Sequence, residues 1–155
     1  MITDDLNLDN STEDLNLDNN LIHVLLYDLY ESKEIPVKLD ISQIFLNLSY
    51  NSKNISETLI DIDYLNKFIE LTYSNCFSLI ENILIIIGNI IQDNPTQIEF
   101  IVTKIPIIYR LKELIQYDKF QGNGNMRNYL LWLTKCFASK MSVEKYIMVN
   151  FLNDS

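Results

Sequence analysis

The sequence has few of the residues that break helices and few of those that build catalytic or metal sites. Its 155 residues include three glycines, three prolines, one tryptophan, two cysteines and one histidine. So few turn-forming residues leave little room for a β architecture with many tight turns. The single histidine, His23, lies 53 positions before Cys76, and neither residue has a recognisable motif around it. We therefore expect no enzyme, no cofactor and no metal site.

Long apolar runs and basic clusters are also missing. The most apolar run, Ile83 to Ile91, is nine residues long and is interrupted by Asn89, whereas a membrane span needs about 20. No apolar N-terminal signal region is visible, and the two cysteines, Cys76 and Cys136, suit a reducing compartment. With 12 basic and 21 acidic residues the chain has no basic stripe. These features predict neither a membrane segment nor a nucleic-acid partner.

Much of the acidity is concentrated at the N-terminus. The first 20 residues hold six acidic residues and no lysine or arginine, whereas the other 135 hold 15 acidic and 12 basic residues. The hexapeptide DLNLDN occurs at 5–10 and again at 14–19, and its short leucine pairs cannot bury enough surface to offset the entropy of ordering. We predict a disordered acidic tail over 1–20 and a folded domain over 21–155. A short linear motif for a partner is the alternative for the tail.

Beyond residue 20, apolar residues recur at helical spacing. Each of the three prolines, Pro36, Pro95 and Pro106, stands where a helix is expected to begin, as the fixed φ of proline favours. Asn94 is the expected N-cap before Pro95, and Ser56 that of a short helix. The predicted helices cover 21–31, 36–51, 54–61, 62–74, 76–93, 95–103, 106–117, 126–139 and 142–152.

These helices recur in the order short, medium, long. Aligning the long helices brings Asn47, Asn89 and Cys136 into register at intervals of 42 and 47 residues. A loop insertion at 121–125 accounts for the extra five. A period near 42 made of three helices is the signature of an armadillo array. The sequence thus predicts an all-α, right-handed superhelical armadillo-repeat solenoid of about three repeats, at 21–53, 54–93 and 94–140, with a further repeat beginning at 141–155.

The most apolar predicted helix is the basis of a hypothesis about function. Within LIENILIIIGNIIQD (79–93), the residues Ile85, Asn89 and Asp93 are four apart and share one stripe. A polar stripe on a helix that is otherwise apolar faces a groove or a ligand. The text IIIGNIIQD (85–93) resembles the inner helices of the importin-α family, armadillo adaptors for nuclear import that carry Trp-x-x-x-Asn. The matching residues are Gly88, Asn89, Ile90 and Asp93, together with Trp132 and Asn47 on the neighbouring long helices.

The resemblance implies a concave groove that binds lysine-rich localisation peptides, and a location in both cytoplasm and nucleus. Asn89 and Asn47 would bond the peptide backbone, Trp132 would form one wall of a slot for lysine stems, and Asp93 would pair with an ammonium group. The family's basic N-terminal arm, which recruits importin-β, is replaced by an acidic stretch, so recruitment by that arm is not expected. The alternative is an armadillo scaffold for protein–protein assembly that does not recognise basic peptides.

Overall fold

A computed structural model describes residues 19–117 and 124–141, and this part of the chain is all-helical. The predicted acidic tail, apart from Asn19 and Asn20 at the start of the first helix, lies outside the described residues, as does the predicted helix at 142–152. A 3₁₀ turn, Pro95–Gln97, precedes α6. The helices are α1 Asn19–Glu31, α2 Ile35–Asn51, α3 Lys53–Leu59, α4 Ile62–Leu71, α5 Phe77–Asp93, α6 Ile98–Lys104, α7 Ile107–Gln116 and α8 Gly124–Lys140.

Helix starts follow the local chemistry of the sequence. Pro36 is the second residue of α2, Pro95 opens the 3₁₀ turn and Pro106 is the N-cap of α7. Asp61 caps α4 by accepting a 2.8 Å hydrogen bond from the backbone N–H of Asp63. These positions agree with the predicted starts. Proline is favoured there because it costs no hydrogen bond in the first turn of a helix.

Some local details differ from the prediction. Helix α4 ends at Leu71 rather than at Ser74, because the N–H groups of Thr72 and Tyr73 bond to carbonyls three residues back and tighten the last turn. The side chain of Asn94 does not cap the following helix; its Nδ2 donates to the carbonyl of Ile90 at 2.7 Å, at the end of α5. Ser56 lies inside α3, where its hydroxyl donates to the carbonyl of Ser49.

Helix α5 is the centre of the core. Every residue from Ile83 to Ile91 is buried except the half-buried Ile85, and α5 packs against α2, α3, α4 and α8. A helix that is apolar nearly all round is stable only when neighbours cover it on most sides. The prediction that this helix is buried between neighbouring elements is confirmed.

The helices form groups that pack side by side. The middle group is α3–α5 and the last group is α6–α8, while α1 and α2 stand before them. Several side-chain contacts between neighbouring groups join residues 38 to 44 positions apart, as in the hydrogen bonds Asn82–Ser42, Arg110–Thr72 and Gln92–Cys136. Because the partner numbers rise together along α2 and α5, and along α5 and α8, these three long helices run parallel.

Candidate functional site

Asn89 is buried between α5 and α2. Its side chain is 9% exposed, and its Nδ2 donates to Ser49 Oγ at 3.1 Å. The Ser49 hydroxyl in turn donates to the carbonyl of Leu46 at 3.0 Å within α2. A buried amide requires such a partner, because an unpaired buried donor is costly. The residue predicted to hold a peptide backbone therefore also joins two helices.

A second pair repeats this arrangement two turns earlier. Asn82 Nδ2 donates to Ser42 Oγ at 2.9 Å, and Ser42 Oγ donates to the carbonyl of Leu39 at 2.8 Å. The two asparagines, like the two serines, are seven residues apart. We call the pairs Ser42–Asn82 and Ser49–Asn89 the serine–asparagine ladder. This ladder was not predicted from the sequence, although both residue types recur at a seven-residue spacing on apolar helices.

Asn47 lies on another flank of α2. It is exposed, and its Oδ1 accepts a hydrogen bond from Gln43 Nε2 at 3.3 Å. Asn47 precedes Ser49 by two residues, which places it about 160° around the helix from the side that faces Asn89. Asn47 thus lies away from the side of α2 against which Asn89 packs.

Trp132 of α8 contacts Gly88 of α5. The half-buried indole of Trp132 lies directly on Gly88, where a Cβ would overlap ring atoms Cη2 and Cζ3. One turn further along, Gln92 Nε2 donates to Cys136 Sγ at 3.4 Å. We call the surface formed by Gly88, Gln92, Trp132 and Cys136 the α5–α8 seam. Glycine is needed at position 88 because the indole occupies the space of a side chain.

Charged groups of both signs surround this seam. Asp93, the last residue of α5, is half-buried and forms no salt bridge within the described ranges. It follows Gly88 by five residues, about 140° around the helix, so it stands away from Trp132 on the α2 side. Glu81 is half-buried two turns before Gly88, whereas Lys135 is exposed one turn after Trp132. A ligand at the seam would meet an acid toward one end and a base toward the other.

Metal-binding and reactive side chains are the remaining candidates for a functional site. In the described part of the chain, no cluster of three or more His, Cys, Asp or Glu is arranged to hold a metal ion. Cys76 and Cys136 are both thiols. Tyr64 Oη lies 2.6 Å from His23 Nδ1, so the histidine links α1 to α4. Within the same residues, no helix has the length and apolar character needed to cross a bilayer.

Comparison of the chain with protein-family models, with curated proteins and with solved structures finds no match.

Proposed function

We propose that this protein is an importin-α-like armadillo adaptor, or part of one, that binds a lysine-containing peptide at the α5–α8 seam. The observation that supports this most directly is the contact of Trp132 with Gly88, next to Asn89. A partly exposed tryptophan from one group lies on Gly88 of the preceding group. In the family that the sequence resembles, tryptophan and asparagine on successive inner helices form the peptide groove.

The arrangement of the helices is consistent with this proposal. Each complete group has a short, a medium and a long helix, and the long helices α2, α5 and α8 run parallel. Several contacts between groups join residues 38 to 44 positions apart, close to the period of an armadillo repeat. We propose the armadillo solenoid on these grounds.

The chemistry of the seam suits a lysine stem. The outer face of the Trp132 ring would cover the methylene groups, while cation–π attraction would favour the ammonium group, at about 0.5–1 kcal/mol for an exposed site. Glu81, two turns before Gly88 on the same face of α5, supplies negative charge to the seam, and Gln92 supplies an amide. Asp93 adds negative charge from the α2 side. Importing proteins that display such peptides would place the adaptor in both cytoplasm and nucleus.

A titration of the full chain with a fluorescently labelled lysine-rich peptide, at two salt concentrations, tests this function. We expect binding that weakens at higher salt and a change in the emission of Trp132, the single tryptophan. Trp132→Ala should remove the contact of the ring with the lysine side chain and weaken binding about tenfold, which corresponds to about 1.4 kcal/mol of binding free energy. Asn89→Ala and Asp93→Asn should each weaken it less.

Tyr27→Ala, on the exposed face of α1, is the matched control and should bind like the unmodified chain. Circular dichroism verifies that each variant is folded. Equal affinity of the Trp132→Ala variant and the unmodified chain, or equal affinity for a peptide with norleucine in place of lysine, would reject the seam as a lysine site.

A second function is favoured by a different observation. The amide of Asn89 is already paired with Ser49 and that of Asn47 with Gln43, so both amides have partners within the protein. Lys135 beside Trp132 adds a repulsive charge. An armadillo scaffold that binds another protein without reading lysine would have these properties. Concentration-dependent assembly in sedimentation experiments, together with no affinity for the lysine-rich peptide, would identify it.

A further inference from the structure

Two cavities meet where α4 turns into α5. One, of about 520 Å³, lies between this corner, the first turn of α5 and the last turn of α7. The other, of about 290 Å³, lies between the end of α4 and the first turn of α2. Tyr73 and Ser74 line both, so the cavities adjoin at the corner. We call the combined surface the corner groove; the larger cavity lies in the volume range of pockets that hold ligands.

Arg110 fixes one wall of the corner groove. Its Nη2 donates to the carbonyl of Thr72 at 2.8 Å, and its Nε donates to Thr72 Oγ1 at 2.9 Å. The guanidinium also lies on the ring of Tyr73, 3.7 Å from its centroid. Because these contacts tie α7 to the corner of the preceding group, the groove is formed before any partner arrives, and a preformed site loses little entropy on binding.

Three aromatic rings line the larger cavity. Tyr73 is 58% exposed, Phe77 37% and Tyr117 45%, while Ile80 and Leu114 form a buried apolar floor. Tyrosine, phenylalanine and arginine are the residue types enriched where proteins bind one another. The groove thus offers large apolar contact area at its centre and polar atoms at its edges.

The charges of the groove are arranged by depth. The Arg110 side chain is 14% exposed and is paired with Glu113 at 3.1 Å, whereas the Glu113 side chain is 35% exposed. Lys38 Nζ donates to the carbonyl of Tyr30 at 3.0 Å, while Glu70 is exposed. Both cations are therefore tied inward and both carboxylates are nearer to water. A charged group that approaches the opening meets negative potential first.

The hydroxyl of Tyr73 strengthens this polarity. It donates to Glu113 Oε2 at 3.1 Å. Partial burial raises the pKa of Tyr73, and the hydrogen bond to Glu113 adds to the shift. The phenol therefore remains a protonated donor at neutral pH and holds the carboxylate at the edge of the larger cavity.

We infer that the corner groove docks a segment of a partner protein in which a basic residue is flanked by apolar residues. The stem of the arginine or lysine would lie against the rings of Tyr73, Phe77 and Tyr117, its head would reach Glu113, and an apolar neighbour would cover Ile80 and Leu114. Cations are attracted to aromatic faces and to a partly desolvated carboxylate. This site is separate from the α5–α8 seam and does not rest on the function proposed there.

Titration of the isotope-labelled full chain with the blocked peptide Ac-Gly-Leu-Arg-Leu-Gly-NH₂, followed by NMR, tests the inference. We expect saturating shift changes at the backbone amides of residues 73–77 and 117. The same peptide with glutamine in place of arginine should bind at least tenfold more weakly. Equal binding of the two peptides would overturn the inference, as would shift changes confined to residues 88–92 of the seam.

Matched variants sharpen the result. Glu113→Gln should weaken binding of the arginine peptide about tenfold, whereas Glu57→Gln, an exposed acid on α3, should leave it unchanged. Because Glu113 also holds Arg110, Tyr117→Ser provides an independent test at the C-terminal end of α7 and should weaken binding at least fivefold. Trp132→Ala should not affect this binding. If Glu113→Gln and Tyr117→Ser bind the peptide as well as Glu57→Gln does, the groove is not its site.

Discussion

At the scale of single residues, Gly88 determines how closely α8 approaches α5. The indole of Trp132 lies where a side chain at position 88 would stand. Alanine is the better helix former by about 1 kcal/mol, so helix propensity alone would favour Ala at this position. The presence of glycine follows from the contact, and the contact gives the single tryptophan its orientation at the seam.

Gly88→Ala should therefore destabilise the protein by about 1–3 kcal/mol, the usual cost of inserting an atom into a packed contact. It should also shift the emission of Trp132 to longer wavelength, because the ring must move toward water. Urea denaturation and steady-state fluorescence measure the two effects. In a Trp132→Ala background the same change should be neutral or stabilising. A Gly88→Ala variant with unchanged stability and emission would contradict the contact.

Residue roles were only partly visible in the sequence. The Gly-Asn pair and Trp132 were identified as candidates, and the structure brings Trp132 and Gly88 into contact. Ser49, the partner of Asn89, was not identified, because the sequence pattern of a helix does not say which residue of another helix lies against it. The roles of Asn89, Asp93, Trp132 and Asn47 in binding stay predictions.

At the scale of helices, the serine–asparagine ladder sets the register of α2 against α5. Apolar side chains alone pack almost equally well after a small slide, whereas buried polar pairs lose their partners when helices shift. Both rungs have the same seven-residue spacing, so parallel helices can satisfy them together. A one-turn slip would break both.

A double-mutant cycle measures one rung. Ser49→Ala should cost about 1–3 kcal/mol, since it leaves a buried amide N–H of Asn89 without its acceptor. Asn89→Ala should cost about 1 kcal/mol, and the two changes together should show a coupling of about 0.5–1.5 kcal/mol in chemical denaturation. The control cycle combines Ser49→Ala with Asn82→Ala, which belong to different rungs and should be additive. Equal coupling in the two cycles would refute the rung.

The helices themselves were largely predictable because their signals are local. Prolines at 36, 95 and 106 mark starts, and apolar spacing marks the buried faces. The end of α4 was not predictable in the same way, because Thr72 is drawn into a tight turn and into a bond with Arg110, 38 residues later. The corner groove was missed for the same reason, since it depends on side chains from four separate helices.

At the scale of the whole molecule, stability is expected to be concentrated at α5. This helix contacts neighbours on both sides, whereas α1 and α7 each leave one face exposed. Ile87→Ala, at a fully buried position of α5, should cost about 2–5 kcal/mol. The exposed Val24→Ala on α1 is the control and should change stability by less than about 0.5 kcal/mol.

Hydrogen exchange should follow the same gradient, because local opening is easiest where fewest buried contacts are lost. The amides of α5 should exchange most slowly, and those of α1 and α7 faster, when followed by mass spectrometry. Amides of α1 that outlast those of α5, or equal stability of the Ile87→Ala and Val24→Ala variants, would place the stable centre elsewhere.

The bonds between neighbouring groups bear on how the length of such a chain can change. Several of them join residues 38 to 44 positions apart, so duplication of one whole group would offer similar partners again at the new interface. A single residue inserted within α2 or α5 would instead turn everything beyond it by about 100° and separate them. This architecture therefore accommodates growth by complete groups. Each added group would extend the row of long helices by one.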